Sequence, residues 1–302
     1  MTESVSGNVT EKYAGAARSA QPPAEPLPPM SCDCHLHVFG DPARFPDRNP
    51  NPVHASREAS WEDAVRMHGT VGFARGVLVQ PANYTTDHSY LKEALQRMPR
   101  DRYRATGIID DTVTDAELER LHAAGMRGVR FNFVRIFKMV PSPRLLQRSI
   151  DRIALYGWHI KIFIGPKELP DTLETLRRIT AVPVVIDHMA RLKPAGGARN
   201  AAHDLVLDLL RRENFWVLLS NGARMSEATS GWHDVVPIGR DLYAAAPDRC
   251  LFGTDWPHTH SHHEGGGPQE SELIELMYRF LPDAKARHAV LVDNPARLYG
   301  FG

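Results

Sequence analysis

Cysteine is scarce in this chain, with three residues among 302. An odd, sparse set argues against a disulfide framework, and Cys32 and Cys34 stand too close on one extended run to bridge each other. A reduced, cytoplasmic setting is therefore expected. Charge of one sign is lacking too, since Lys plus Arg and Asp plus Glu number 36 each. Without a net field nothing draws in nucleic acid or an anionic membrane, and an anionic ligand has to be met by local groups. Long hydrophobic runs are also missing, and none approaches the ~20 apolar residues of a membrane span. Residues 1–29 lack the apolar centre of a signal peptide. They are polar and small, then Pro-rich from Gln21 to Pro29, so a mobile N-terminal tail is expected there.

What the chain does have is 42% hydrophobic residues, enough to bury a large core. Apolar or β-branched runs recur at 30–39, 74–80, 104–109, 127–133, 158–164, 182–188, 215–220 and 250–256, with amphipathic stretches between them. Thr114-Asp115-Ala116-Glu117 has the form of a capping box and Gly125 a stop signal, while Ser142-Pro143 opens another helix that Gly157 closes. Repeated βα units make a parallel sheet, and eight of them make a barrel. The expectation is a single α/β domain over residues 30–302, a (β/α)8 TIM barrel. Catalytic residues then belong at the C-terminal ends of the strands. Strict alternation along the first strand puts Asp33, His35 and His37 on the inner face and turns Cys32 and Cys34 toward the helices.

A His-x-His pair alone is a weak signal. Here His35 and His37 are joined by Asp187-His188 at the end of the sixth run and by Asp255 at the end of the eighth, all at one rim of the barrel. Imidazoles at His35, His37 and His188 can polarise a carbonyl oxygen while Asp255 takes a proton from water and returns it to the leaving oxygen. The same four side chains are also able to hold one divalent ion such as zinc. Arg130 and Arg224 follow strand ends and are expected to reach the mouth as anion contacts. Gln80 ends the second strand as a weaker polar contact, and Lys161 shares a face with Phe163 as a further cation. The loop at 257–267 is rich in His and Gly and reads as a substrate cover, with His258 its one member near Asp255.

The combination resembles the amidohydrolase superfamily. Asp33-Cys34-His35-Leu36-His37, Gly128-Val129-Arg130-Phe131-Asn132, Val185-Ile186-Asp187-His188-Met189, Gly253-Thr254-Asp255-Trp256-Pro257-His258 and Asn294-Pro295-Ala296-Arg297 look like its 2-pyrone-4,6-dicarboxylate lactonase group. The resemblance implies a barrel, hydrolysis of a small anionic lactone from aromatic degradation, arginines on the substrate carboxylates, and no required metal or other cofactor. Arg130 and Phe163 stand where binuclear members have ligands, so two metals are not expected. The chain also departs from the dicarboxylate lactonases. Ile136 replaces an arginine, Phe163 replaces a tyrosine, and the loop Asn49-Pro50-Asn51-Pro52-Val53-His54 lacks a tyrosine. Those losses fit the related 4-sulfomuconolactone hydrolases better. The alternatives are a pyrone dicarboxylate lactonase, a mononuclear-metal decarboxylase or hydratase of the same barrel, and a non-catalytic binding protein.

Overall fold

The computed structural model describes residues 20–50, 52, 58–194, 200–259 and 267–302. Eight strands follow one another: β1 (Cys32–Leu36), β2 (Arg75–Val79), β3 (Tyr103–Gly107), β4 (Met126–Asn132), β5 (His159–Phe163), β6 (Val184–Ile186), β7 (Phe215–Leu219) and β8 (Cys250–Phe252). Each pairs in parallel with the next, in the order β1 to β8. The two outer strands meet where the His37 amide donates to Trp256 O at 2.7 Å and the Asp255 amide donates to His35 O at 2.8 Å. The sheet is thereby a (β/α)8 barrel, as expected. Close approach at this seam requires glycine at 253, since a Cβ there would lie 2.6 Å from His35 Cβ.

The helices between strands start and stop where local chemistry says they should. Helix α1 (Trp61–Val71) is opened by a Ser60–Asp63 capping box, and α2 (Ser89–Arg97) follows β2. In α3 (Asp115–Ala124) the Thr114 side chain accepts from the Glu117 amide, and Gly125 ends the helix at φ 111°. Helix α4 (Pro143–Ala154) has Ser142 as its cap and Pro143 in its first turn. Leu118, Leu121, Leu146 and Ile150 on these helices are buried against the outer face of the sheet, each worth roughly 2 kcal/mol of burial. Among the described residues no helix is long and apolar enough to cross a membrane.

Two expectations are corrected. First, β1 is not regular. Its register with β2 slips between Asp33 and Leu36, a one-residue bulge that reverses which side chains face the core. Cys32 and Cys34 pack inside the barrel with Val77, Val185, Leu218 and Leu251. Asp33 faces outward, where its carboxylate accepts from the Thr254 amide at 3.0 Å and lies 3.4 Å from His68 Nε2 of α1. Second, the expected tail at 1–29 is too long. Ala20 is buried, Leu27 packs on the core, Pro26 O accepts from Tyr278, and Glu25 pairs with Arg287. Residues 1–19 lie outside the described residues.

The end of the barrel at the strand N-termini is closed by the chain's last residues. Tyr299 and Phe301 join the interior cluster with Trp216, and Arg75 and Arg104 donate to Gly302 O and Gly300 O, each at 3.0 Å. Among the described residues a cleft lies at the opposite end.

Candidate active site

The expected runs were longer than the strands, and the surplus residues are the chemically interesting ones. His37, Gln80, Asp187, His188, Ser220 and Asp255 all follow the last residue of a strand. Released from the ladder, they take unusual backbone shapes. Asp255 has φ 62°, and His188, Met189, Ala190 and Arg191 have φ of 50°, 49°, 52° and 55° in succession. Non-glycine residues reach that region at a cost of roughly 1–2 kcal/mol each.

Three imidazoles surround one carboxylate oxygen. Asp255 Oδ1 lies 3.3 Å from His37 Nε2, 3.5 Å from His35 Nε2 and 3.9 Å from His188 Nε2. Its Oδ2 accepts from Asn221 Nδ2 at 2.8 Å. Burial opposes ionisation of Asp255, but His188, His37 and His35 outweigh it and hold the carboxyl well below its usual range. His188 is pushed down to about 4, chiefly by burial, so near neutral pH it is an uncharged hydrogen-bonding group. His35 is likewise held well below its ordinary value, by burial first and the Lys161 ammonium second.

The other ring nitrogens fix how these rings sit. His37 Nδ1 is 2.7 Å from Val79 O, an acceptor only, so Nδ1 carries a proton and Nε2 is the nitrogen turned to Asp255. His188 Nδ1 is 2.7 Å from Ser220 Oγ. Below them lies a charged layer that the sequence did not reveal. Arg130 Nε donates to Asp187 Oδ2 at 2.9 Å, and Asp187 Oδ1 is 3.3 Å from His35 Nδ1 and 3.6 Å from Lys161 Nζ. Lys161, His35 and Asp187 are fully buried. Burial raises the Asp187 carboxyl, yet Lys161, His35 and Arg130 together keep it well below the usual range.

Above the layer is a cleft enclosing some 810 Å³ of non-atom space, its open mouth included. His37, His188, Asp255, Arg130 and Arg224 line it together, beside Asn132, Phe163 and Phe137. Arg224 comes from the short helix Gly222–Met225 after β7. Among the described residues Arg130 spends only Nε on Asp187 and stacks over the Phe163 ring at 5.0 Å, which leaves its Nη pair for the cleft.

Four expected contacts are placed elsewhere. His35 has no exposed surface and is absent from the lining, so it reaches the cleft through its neighbours. Lys161 donates to Cys34 O at 3.0 Å beneath the cleft. Gln80 donates to Thr85 O and Asp87 O, bracing the loop after β2. His258 is buried against Glu270 at 2.9 Å, whose carboxylate outweighs the effect of burial and raises the imidazole above its ordinary value. Of the loop expected to cover the substrate, Thr259 lines the cleft and residues 260–266 lie outside the described residues. Asp187, Asn221, Ser220 and Asn132 were missed as site residues, although Asp187 stood beside His188 in the motif.

His35, His188 and Asp255 offer ligand atoms within 4.8 Å of one another, close enough for one ion. The surroundings of His35 oppose it. A histidine bound to metal through Nε2 keeps a proton on Nδ1 to donate to an outer acceptor, but Lys161 Nζ, itself a donor, is 3.2 Å from that nitrogen. Arg130 and Lys161 both pair with Asp187. Asp187 Oδ1, 3.3 Å from His35 Nδ1, is the acceptor such a ligand needs, so this donor set suits a divalent ion only with the Nδ1 proton turned to Asp187 and away from Lys161.

An inward His-x-His at the end of β1, a histidine after β6 and an aspartate after β8 on a (β/α)8 barrel define a hydrolytic class, and the chain belongs to the amidohydrolase family, which it matches over residues 32–301. Within that family it is 35% identical over 294 residues to 4-sulfomuconolactone hydrolase of Rhizobium radiobacter, covering 94% of each chain. It is also 35% identical to 2-pyrone-4,6-dicarboxylate hydrolase of Comamonas testosteroni, covering 90% of this chain and 91% of the other. A solved ligand-free structure from Agrobacterium tumefaciens superposes with a TM-score of 0.81 at 26% identity, over 93% of this chain and 99% of that one.

Proposed function

We propose that the protein hydrolyses an anionic unsaturated lactone, with 4-sulfomuconolactone as substrate and maleylacetate and sulfite as products. The observation that carries the reading is the ionised Asp255, set beside a neutral His188 and faced across one cleft by Arg130 and Arg224. A water molecule beside Asp255 Oδ1, with His37 Nε2 3.3 Å from that oxygen, is placed to give up a proton to the carboxylate. Asp255 takes one proton as the water oxygen attacks the lactone carbonyl. With the Ser220 hydroxyl donating to Nδ1, His188 presents Nε2–H to the carbonyl oxygen as negative charge gathers there. Collapse breaks the ring C–O bond, and Asp255 returns its proton to the departing oxygen. In a sulfonated lactone that oxygen then shares a carbon with sulfur. It becomes a ketone as its O–H proton is released and the C–S bond breaks, sulfite leaving with the electron pair and the proton together as hydrogensulfite.

The choice among lactones rests on the cleft wall. Phe163 lines the cleft with its ring edge-on to Phe137 and His188, so an apolar ring occupies a position where the dicarboxylate lactonases have a hydroxyl. Ile136 is 69% exposed and outside the lining. Arg135 does not substitute for the missing arginine, because it pairs at the surface with Asp171 at 2.8 Å. A clamp short of these groups leaves one carboxylate of the pyrone dicarboxylate poorly paired. Purified protein assayed with both lactones in competition tests the assignment. A higher kcat/KM for the pyrone dicarboxylate would transfer it to the dicarboxylate lactonases, and turnover of neither would remove the hydrolase reading.

A further inference from the structure

Lys161 is the largest charged side chain with no exposed surface, and it touches no part of the cleft. Its ammonium meets three groups: Cys34 O at 3.0 Å, His35 Nδ1 at 3.2 Å and Asp187 Oδ1 at 3.6 Å. A neutral imidazole has one N–H and one lone pair, and its neighbours decide which nitrogen has which. At His35 Nδ1 two candidates compete. Lys161 offers a proton, whereas Asp187 Oδ1, 3.3 Å away, would accept one. The geometry favours the lysine, since the Lys161–His35 contact at 3.2 Å is directed as a hydrogen bond, whereas among the described residues none is directed at Asp187 Oδ1.

At the other nitrogen the choice has chemical consequences. His35 Nε2 faces His37 Nε2 at 3.3 Å and Asp255 Oδ1 at 3.5 Å. The carboxylate oxygen is an acceptor only, so a lone pair on His35 Nε2 would set two acceptors against each other, whereas an N–H there gives Asp255 Oδ1 a donor. We infer that Lys161 is a positioning residue: by donating to His35 Nδ1 it holds His35 as the Nε2–H tautomer, which keeps that donor on Asp255 Oδ1. The bulge in β1 makes the contact possible, because it turns His35 inward above Lys161 while the Cys34 carbonyl anchors the ammonium.

The inference rests on the hydrolase reading for its effect on rate, but the tautomer can be measured without substrate. In full-length protein labelled with 15N-histidine, the His35 ring signals, assigned by their loss in H35Q, should show Nε2 protonated and Nδ1 bare. In Lys161→Met the Asp187 carboxylate becomes the only partner of Nδ1, and the proton should move to Nδ1. With it kcat should fall at least about tenfold, a wrong histidine tautomer being severe in other hydrolytic sites, while KM stays within about threefold. A wild-type spectrum with Nδ1 protonated overturns the inference, and this holds even if the variant fails to fold. So does a variant whose turnover drops with its tautomer unchanged, which would make Lys161 a packing residue. Wild-type protein that turns over no lactone sinks the hydrolase reading instead, and the spectrum still decides the role of Lys161.

Discussion

The two ends of the barrel handle buried cations in opposite ways. At the closed end, Arg75 and Arg104 lie over the Phe301 ring at 5.1 and 4.8 Å and donate to Gly302 O and to the Gly300 carbonyl. At the open end, Arg130 and Lys161 share the Asp187 carboxylate. The Gly300 carbonyl and the Phe301 ring face are neutral, so they satisfy Arg104 without building a field that reaches other groups. A carboxylate between two cations has such reach, and through His35 it is coupled to Asp255. The closed end is thus built for stability and the open end for tuned acid–base groups, a division usual in this fold.

Substitutions at the open end should cost turnover with the fold intact. Asp255→Asn is expected to lose at least about a hundredfold in kcat, the usual scale of general-base catalysis, with an unchanged circular dichroism spectrum. Near-native turnover would remove Asp255 from the chemistry. The mirror-image test is Phe301→Ala. It should cost about 3 kcal/mol in denaturant unfolding, as for a large buried aromatic, and leave kcat within about threefold because no reacting group sits there. Loss of turnover on that scale without loss of stability would erase the contrast between the ends.

Arg130→Met and Arg224→Met come next. Each should lower kcat/KM on an anionic lactone about tenfold or more, the worth of one charge-assisted hydrogen bond, and by less on an uncharged lactone. Equal losses on both substrates would count against an anion contact.

A subtler test uses pH. Burial pushes His188 and His88 down to about 4 and His159 to about 3. The unfolded chain takes up protons near pH 6.5 that these rings refuse when folded, so their contribution is fully present above about 6.5 and is lost as pH falls toward 4. Unfolding free energy measured by urea titration should therefore decline across that window, and go on declining below it as Asp187 and Asp255, held below the usual carboxylate range, take up protons. A flat profile from 6.5 to 4 would mean that the rings are charged in the folded state. The smallest expected effect is that of a chelator. Dialysis against one should change turnover by less than about twofold, since Lys161 occupies the side of His35 that a bound ion would need protonated. Abolished turnover, restored by zinc, would overturn that expectation.

Much of the open end was legible in the sequence because its chemistry lies at the C-terminal ends of short apolar runs, where His35, His37, His188 and Asp255 stand in motifs. The barrel was legible for the same reason, from repetition of run and helix. What stayed hidden was set by pairing between distant segments. The bulge in β1 arises from its register with β2, and no residue of Asp33–Leu36 announces it. It turned the inner face from Asp33 to Cys32 and Cys34. Lys161 was legible as an inward cation, yet its partners Cys34, His35 and Asp187 come from two other strands, so alternation alone could not tell a substrate contact from a support. The closing of the barrel by Tyr299 and Phe301 was equally hidden, since two aromatics beyond the last helix carry no periodicity.

The left-handed stretch from His188 to Arg191 has a consequence for how the molecule ages under heat. L-residues hold that handedness only while their surroundings insist on it, and the surplus energy is concentrated in four residues on one rim. Such a segment is the first to relax when neighbouring contacts loosen. Thermal inactivation should accordingly run ahead of cooperative unfolding, with His188 swinging out of register in a barrel that is still intact. Ala190→Gly relieves part of that handedness penalty, so it should raise the melting temperature slightly while widening the interval between losing activity and losing the fold.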